Sequence, residues 1–443
     1  MPTTYRPYHP DQTFLLPPSP SEWLPEDHFA YFIADAIDAL DLSAFHARYE
    51  GDGRRNQPFD PAMMVKLLVF GYSTGVVSSR QIAKRLAEDV AFRVLAAGNT
   101  PAHRTVREFR QLHGVELTQL FVQVVRVAAE AGLVKLGRLG IDGTKLRANA
   151  SRHKAMSYGR MQTEEARLKA EIADLLKQAE ATDVREDQQF GKDATGDELP
   201  AELRRRETRL ATIQAAKARL EARQREWDAA AGRPPDNADP PIKKRGPKFK
   251  RPMGTPPDTS QDNFTDPQSR IMKTNEGFQQ CYNAQAAVDE GSMLIVAADL
   301  NACAADVGQL LPMVEQAKTN LGASHAVVLA DAGYASESNF EALEARQQVA
   351  CVALGRESKQ GRTIDAEKRP ATQRMAAHLA TDQGKHDYRR RKVIPEPVFG
   401  WIKHVLGFRR VSRRGEPAAR EEWNLVCLAM NLRRMHRMGW KPA

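Results

Sequence analysis

The chain has 443 residues, is 42% hydrophobic and carries a formal net charge of +9, which allows two to four domains and a sizeable core. The positive balance points to a polyanionic partner, nucleic acid before membrane surface. Cys281, Cys303, Cys351 and Cys427 form no C-x-x-C pair, which argues against a zinc knuckle or a dense disulfide scaffold and fits a reducing cytoplasm. The longest apolar stretches, such as "MMVKLLVFGY", fall short of the ~20 residues a membrane span needs, so no membrane partner is expected. The charge is also uneven: residues 385–443 hold 15 Lys and Arg against 5 Asp and Glu, a net of +10. The positive field is therefore concentrated at the C-terminus.

In chain order, residues 1–22 read as a polar, proline-rich arm without the pattern of a signal peptide. Helical spacing follows over 26–50 (Phe29, Phe32, Ile33, Ile37, Leu40), and Pro61 opens a second helix. The stretch 78–114 divides into three short helices at Asp89 and at "GNTP", the last carrying Arg104, Arg107 and Arg110. Short helices with a basic final member suit a helix-turn-helix on DNA. A helical bundle with a solvated basic face fits the same composition.

From 133 the pattern changes. "GRLGIDGTKLRANAS" alternates and reads as a strand ending near Asp142. Residues 161–181 and 199–229 are charged and helically periodic, the signature of an antiparallel helical hairpin. Residues 232–267, including "KKRGPKFKR", read as a flexible, basic, proline-rich linker. "FQQCYNAQAAVD" and "SMLIVAADLNA" then form a β-hairpin about Glu290-Gly291. A helix over 305–319, a strand over 326–331, a helix over 336–347 and the strand "QVACVAL" complete the alternation. A polar insertion, 356–387, precedes "YRRRKVIPEPVFGWIKHVLGFRR".

In that last block Pro395 and Pro397 bracket Glu396, a helix-start signal, and Glu396, Gly400 and Lys403 share a helical stripe. Three acids thus stand at distinctive points: Asp142 ending the first strand, Asp331 ending the fourth and Glu396 opening a late helix. Phosphodiester chemistry commonly uses two Mg²⁺ ions ~3.5–4 Å apart, and three carboxylates suffice to bind them. Singly, each acid is equally a turn or cap residue. Asp289 and Asp299 read as structural. Trp401 is a packing residue or a platform for an unpaired base.

"GIDGT", "LADAGY" and "YRRRKVIPEPVFGWIK" closely resemble the three acidic motifs of DDE transposases from bacterial insertion sequences, in the IS-five-like superfamily. The resemblance extends to the helical segment "QIAKRLAEDVAFRVL" and to "DPQSRIMKTNEGFQQCYNAQAAVD" and covers nearly the whole chain. It implies an α/β catalytic core with a ribonuclease-H-like mixed sheet flanked by helices, an all-α N-terminal domain and an inserted helical hairpin. The corresponding division is 23–130 for DNA binding, 131–160 and 268–443 for catalysis, 161–231 for the hairpin and 232–267 for the linker. Asp142, Asp331 and Glu396 are implied as catalytic metal ligands for two Mg²⁺, with Mn²⁺ as a substitute.

The family's Y-R-E-K signature maps onto Tyr388, Arg391, Glu396 and Lys403. Four residues separate Arg391 from Glu396 where the family has three, so either Arg391 is shifted or Lys392 takes its role. With Arg104, Arg107 and Arg110, these basic residues and Tyr388 are the expected DNA contacts. The implied protein is a nucleoid-associated transposase, a homodimer on double-stranded DNA, that binds terminal inverted repeats, cuts them and joins 3′ ends to target DNA. A structure-specific nuclease or resolvase on the same fold, or an inactive DNA-binding regulator, are the rivals.

Overall fold

The computed structural model describes residues 19–49, 57–151, 154–190, 201–233, 251–355 and 364–442. Most of the proline-rich arm and of the basic linker, with "KKRGPKFK", lies outside the described residues.

Among the described residues seven α-helices precede the sheet: α1 (Phe29–Asp38), α2 (Ser43–Ala47), α3 (Pro61–Ser73), α4 (Ser79–Glu88), α5 (Val90–Leu95), α6 (His103–Leu112) and α7 (Gly114–Glu130). Local chemistry sets their ends. Pro61 occupies the first turn of α3, where its missing N–H costs nothing, and Asp60 accepts from Met63 N at 3.0 Å. Asp89 ends α4 and caps α5, accepting from Ala91 N at 2.9 Å. The two breaks expected at Asp89 and "GNTP" are thus both present.

The sheet is built from β1 (Arg138–Arg147), β4 (Arg270–Thr274), β5 (Gly277–Asp289), β6 (Ile295–Asn301), β7 (Val327–Ala330) and β8 (Val349–Val352), and β2 (Ala155–Ser157) pairs separately with β3 (Gln261–Asn263). The long strand β5 runs antiparallel to β1 on one side; on the other, β4 pairs with its first half and β6 with its second. Beyond β1, β7 and β8 follow in parallel. This mixed order, with helices packed against it, fits a ribonuclease-H-like core.

Four readings need correction. Asp142 does not end β1; the strand continues five residues further because β5 pairs with it as far as Arg147. Only the parallel pairing with β7 stops, at Gly140. Second, β4 was not foreseen, since the polar "RIMKT" shows its pattern only as an edge strand. Third, the end of the expected linker is built into the structure: Asp262 on β3 is buried and pairs with Arg219 at 2.7 Å and Arg223 at 2.9 Å. Within the expected polar insertion, α12 (Pro370–Ala380) and α13 (Asp382–Arg390) are helices.

The inserted hairpin is present as α8 (Tyr158–Phe190) and α9 (Ala201–Ala230), with a small core of its own that includes Met161, Leu168, Ile213 and Leu220. On the main sheet lie α10 (Leu310–Leu321), α11 (Glu337–Ala345), the short α14 (Pro395–Gly400) and α15 (Glu416–Arg437). Helix α15 is the central strut. Buried from Ala419 to Met435 along most of its length, it packs on α3, α7 and β6. Trp423 Nε1 donates to Gln285 O at 3.0 Å, and Asn431 brackets Ile295 by accepting from its N and donating to its O. A continuous apolar cluster therefore runs from the N-terminal helices through α15 into the sheet.

Candidate active site

Two parallel strands set the floor of the site. The β1–β7 register pairs Leu139 with Val328 and Gly140 with Leu329; carried two residues further it puts Asp142 beside Asp331, just past the end of β7. Ligand chemistry in open α/β sheets concentrates at such carboxyl ends. Asp331 Oδ1 accepts from Gly333 N at 2.7 Å, which turns the chain sharply after the strand. Asp142 Oδ1 accepts from Gly143 N at 2.8 Å.

Glu396 arrives from the opposite end of the sequence, and a glycine admits it. A Cβ on Gly140 would stand 2.7 Å from Ile394 Cγ2 and 2.9 Å from Pro395 Cδ, so α14 sits directly on the β1 backbone. Gly140→Ala is expected to cost about 1–3 kcal/mol of stability by overpacking this contact. A urea midpoint equal to that of the unchanged protein would show that α14 is not seated there.

Asp142 interacts with both of the other acids. Burial above all, then Asp331 and Glu396, push the Asp142 carboxyl up to about 6, against the opposing pull of the Gly143 N–H and Arg391. Arg391 is itself buried, lies 4.0 Å from Glu396 Oε1, and has its guanidinium carbon 5.8 Å from the centre of the Tyr388 ring. Arg391 thus faces the acids from one side, and Lys403 interacts with Asp142 from another. The donors are hard oxygens, the set a hard divalent cation prefers. Among the described residues no three His, Cys, Asp or Glu are grouped tightly enough to hold an ion alone. Mg²⁺ usually completes its shell with waters and substrate phosphate.

A basic cleft of about 420 Å³ leads away from Asp142 along β1, lined by Lys145, Arg147, Lys273, Lys403, His404 and Arg409, with Glu276 on its wall. Lys403 lies on a π-helical turn, Trp401–Val405, and its Nζ donates to Lys145 O at 3.3 Å. Burial holds its ammonium below the ordinary lysine range. The π turn inserts extra length into the helix, and such turns concentrate at functional sites.

Two transposase family models match the chain: "Transposase DDE domain" over residues 246–432 and "Transposase domain (DUF772)" over residues 18–112. The chain belongs to the DDE transposases of insertion sequences. Comparison with curated proteins and with solved structures finds no match. The first match includes Asp331 and Glu396, whereas Asp142 lies N-terminal to it. As a member of this family the transposase has DNA as its partner, and DDE transposases generally use divalent metal ions. No helix among the described residues is long and apolar enough to cross a membrane.

The transposase distributes the other sequence candidates unevenly. Arg391 rather than Lys392 faces the acids: a 3-10 turn, Arg391–Val393, absorbs the extra residue and turns Arg391 inward while Lys392 stays exposed. Tyr388 is half-buried beside Arg391. Arg104 and Arg107 are exposed on α6, within reach of Glu108. Arg110 is not a surface residue at all. It is 6% exposed, donates to Tyr72 Oη at 2.5 Å and to Val77 O at 3.1 Å, and lies 3.5 Å from Glu422. That commitment withdraws it from the expected DNA contacts. Trp401 packs under Arg437, whose guanidinium carbon lies 4.3 Å from the ring centre.

Sequence reasoning missed Asp306, a fourth acid beside the site. It accepts from Asn283 at 2.6 Å and Gln285 at 2.8 Å, and a Cβ on Gly333 would stand 2.9 Å from Asp331 Oδ1 and 3.3 Å from Asp306 Oδ2. In "NACAADVGQ" it carried no periodic or motif signal. Lys145 and Arg147 did carry one, as two bases at alternating positions directly after Asp142.

Proposed function

We propose that this transposase binds the terminal inverted repeats of its element, cleaves a DNA strand at each end and joins the freed 3′ ends to target DNA. The observation that carries the reading is the convergence of Asp142, Asp331 and Glu396 from three distant segments, with Arg391 as the facing cation. Asp142, Asp331 and Glu396 would hold two Mg²⁺, or Mn²⁺ in their place. When bound, these ions supply Lewis acidity that activates the attacking oxygen and stabilises the leaving one.

The chain's own residues do the rest. Arg391 restrains Glu396 and offsets part of the acidic charge, so that the three carboxylates can ionise together. Lys403, with Lys145, Arg147 and Arg409 along the cleft, holds the phosphates of the strand and fixes the scissile bond over Asp142. Arg104 and Arg107, exposed on α6, contact the repeats through the N-terminal helices. Because two ends must meet, a homodimer assembles on DNA.

The test uses duplexes carrying the sequences that flank this gene, incubated with the protein and Mg²⁺ and mapped on sequencing gels. Nicks at fixed positions that leave 3′ hydroxyl ends, followed by joined products, are expected, with both lost in Asp331→Asn. Absence of any metal-dependent cut, or equal cutting by Asp331→Asn, would overturn the reading. Cutting without joining would instead favour a nuclease.

A further inference from the structure

The helical hairpin stands outside the site described above, and its charges sort into two groups. Several cations of α8 and α9 are paired: Arg167 with Glu164 and Glu171, Arg206 with Glu171, and Lys169 and Lys217 with Glu165. The root is fastened firmly. Arg219 and Arg223 grip the buried Asp262, and Tyr158 Oη donates to Glu221 at 2.8 Å.

Where α9 meets the segment after β3 the pairing stops. An open cleft of about 520 Å³ is lined by Lys154, Arg204, Arg205, Thr208, Arg209 and Thr212, and no carboxylate lines it. All four cations are exposed, and among the described residues none forms a salt bridge. Arg209 acts on Glu164 only at longer range. Four like charges gathered round open space repel one another, and a polyanion relieves that repulsion. The hydroxyls of Thr208 and Thr212 on the same face donate within the helix, to Arg204 O and Thr208 O at 2.8 Å, so the charge of the cleft comes from the four cations alone.

We infer that this cleft is a second DNA-binding site, one that holds the phosphodiester backbone of duplex DNA away from the carboxylates. On α9 the cations run from Arg204 to Arg209, about 7–8 Å along the helix axis, and Lys154 lines the cleft from outside that helix. That length covers about two intervals between successive phosphates, spaced ~3.4 Å apart per strand along the duplex axis, and exceeds a single anion. The fastened root ties the cleft to the β2–β3 pair. This inference rests on the reading of the protein as one that acts on DNA.

The experiment measures binding of a fluorescent duplex of unrelated sequence by anisotropy across a potassium chloride series, using the full chain. One variant combines Arg204→Ala, Arg205→Ala and Arg209→Ala; a second removes equal charge from paired positions, Arg167→Ala, Lys169→Ala and Lys217→Ala. The first is expected to weaken binding at least about ten-fold and to flatten the log–log salt slope by about 2–3, with an unchanged circular dichroism spectrum. The second should leave the slope as it was. Equal effects of the two variants, or no effect of the first, would overturn the inference while leaving the function above intact. Failure of the unsubstituted protein to bind duplex DNA would overturn both.

Discussion

Asp142→Asn is expected to reduce Mg²⁺-dependent strand cleavage by about 10³-fold or more, and at the same time to stabilise the metal-free protein at neutral pH. The two effects share one cause. Burial and the neighbouring Asp331 and Glu396 raise the Asp142 carboxyl from 3.8 to about 6. Because the folded value is the higher one, the protonated carboxyl favours the fold. That stability is fully present below pH 3.8 and is lost as pH rises through about 6. At about 1.4 kcal/mol per unit the loss is of order 3 kcal/mol, and a neutral asparagine avoids it.

Urea unfolding of the metal-free proteins should therefore give a higher midpoint for Asp142→Asn at pH 7 and matching midpoints at pH 3.5. Mg²⁺ should raise the melting temperature of the unsubstituted protein more at pH 8 than at pH 5, where the ion competes with a proton, and should barely move that of Asp142→Asn. Cleavage at the original rate by Asp142→Asn, or a lower midpoint at pH 7, would remove this residue from the metal site.

Arg110→Met is expected to destabilise the whole protein by about 3–5 kcal/mol, because it leaves a buried carboxylate without its cation. Glu422 has no exposed side-chain surface; it accepts from Tyr72 Oη at 2.8 Å, Ser412 N at 2.7 Å and Ser412 Oγ at 2.6 Å. The cluster joins α6 and α3 to α15, so its loss loosens the N-terminal helices from the sheet. Adding Glu422→Gln should recover part of the loss, since the stranded charge is then gone. Urea unfolding followed by tryptophan fluorescence reads both variants. Arg104→Ala with Arg107→Ala, on exposed positions of the same helix, should leave the midpoint unchanged and weaken DNA binding. If Arg110→Met unfolds at the original midpoint and only DNA binding falls, Arg110 is a surface contact after all.

The contrast among these three arginines marks how far the sequence could be read. They recur every third residue on one short helix, and nothing local separates Arg110 from the other two. Its burial depends on Glu422, more than 300 residues away, delivered by α15. Asp142 follows the same rule: its position as an alternating residue on β1 was legible, but where the strand ends depends on β5. The choice between Arg391 and Lys392 was likewise open until the 3-10 turn before α14 was in place. Asp306 could not be found, because one acid in a loop has no period.

Short-range chemistry was readable from the chain alone. Helix starts at Pro61 and Pro395, the breaks at Asp89 and "GNTP", the β5–β6 hairpin, the charged helical insertion and the order of the three acidic motifs all rest on neighbours a few residues apart. Only the tertiary structure decided which bases are buried, which acids share a field, how β4 and β3 pair and where the unpaired cations of the hairpin collect. Apart from the local β4–β5 hairpin, those outcomes depend on pairings between segments distant in the chain, and a linear pattern does not encode the burial and Coulomb terms that such pairings create.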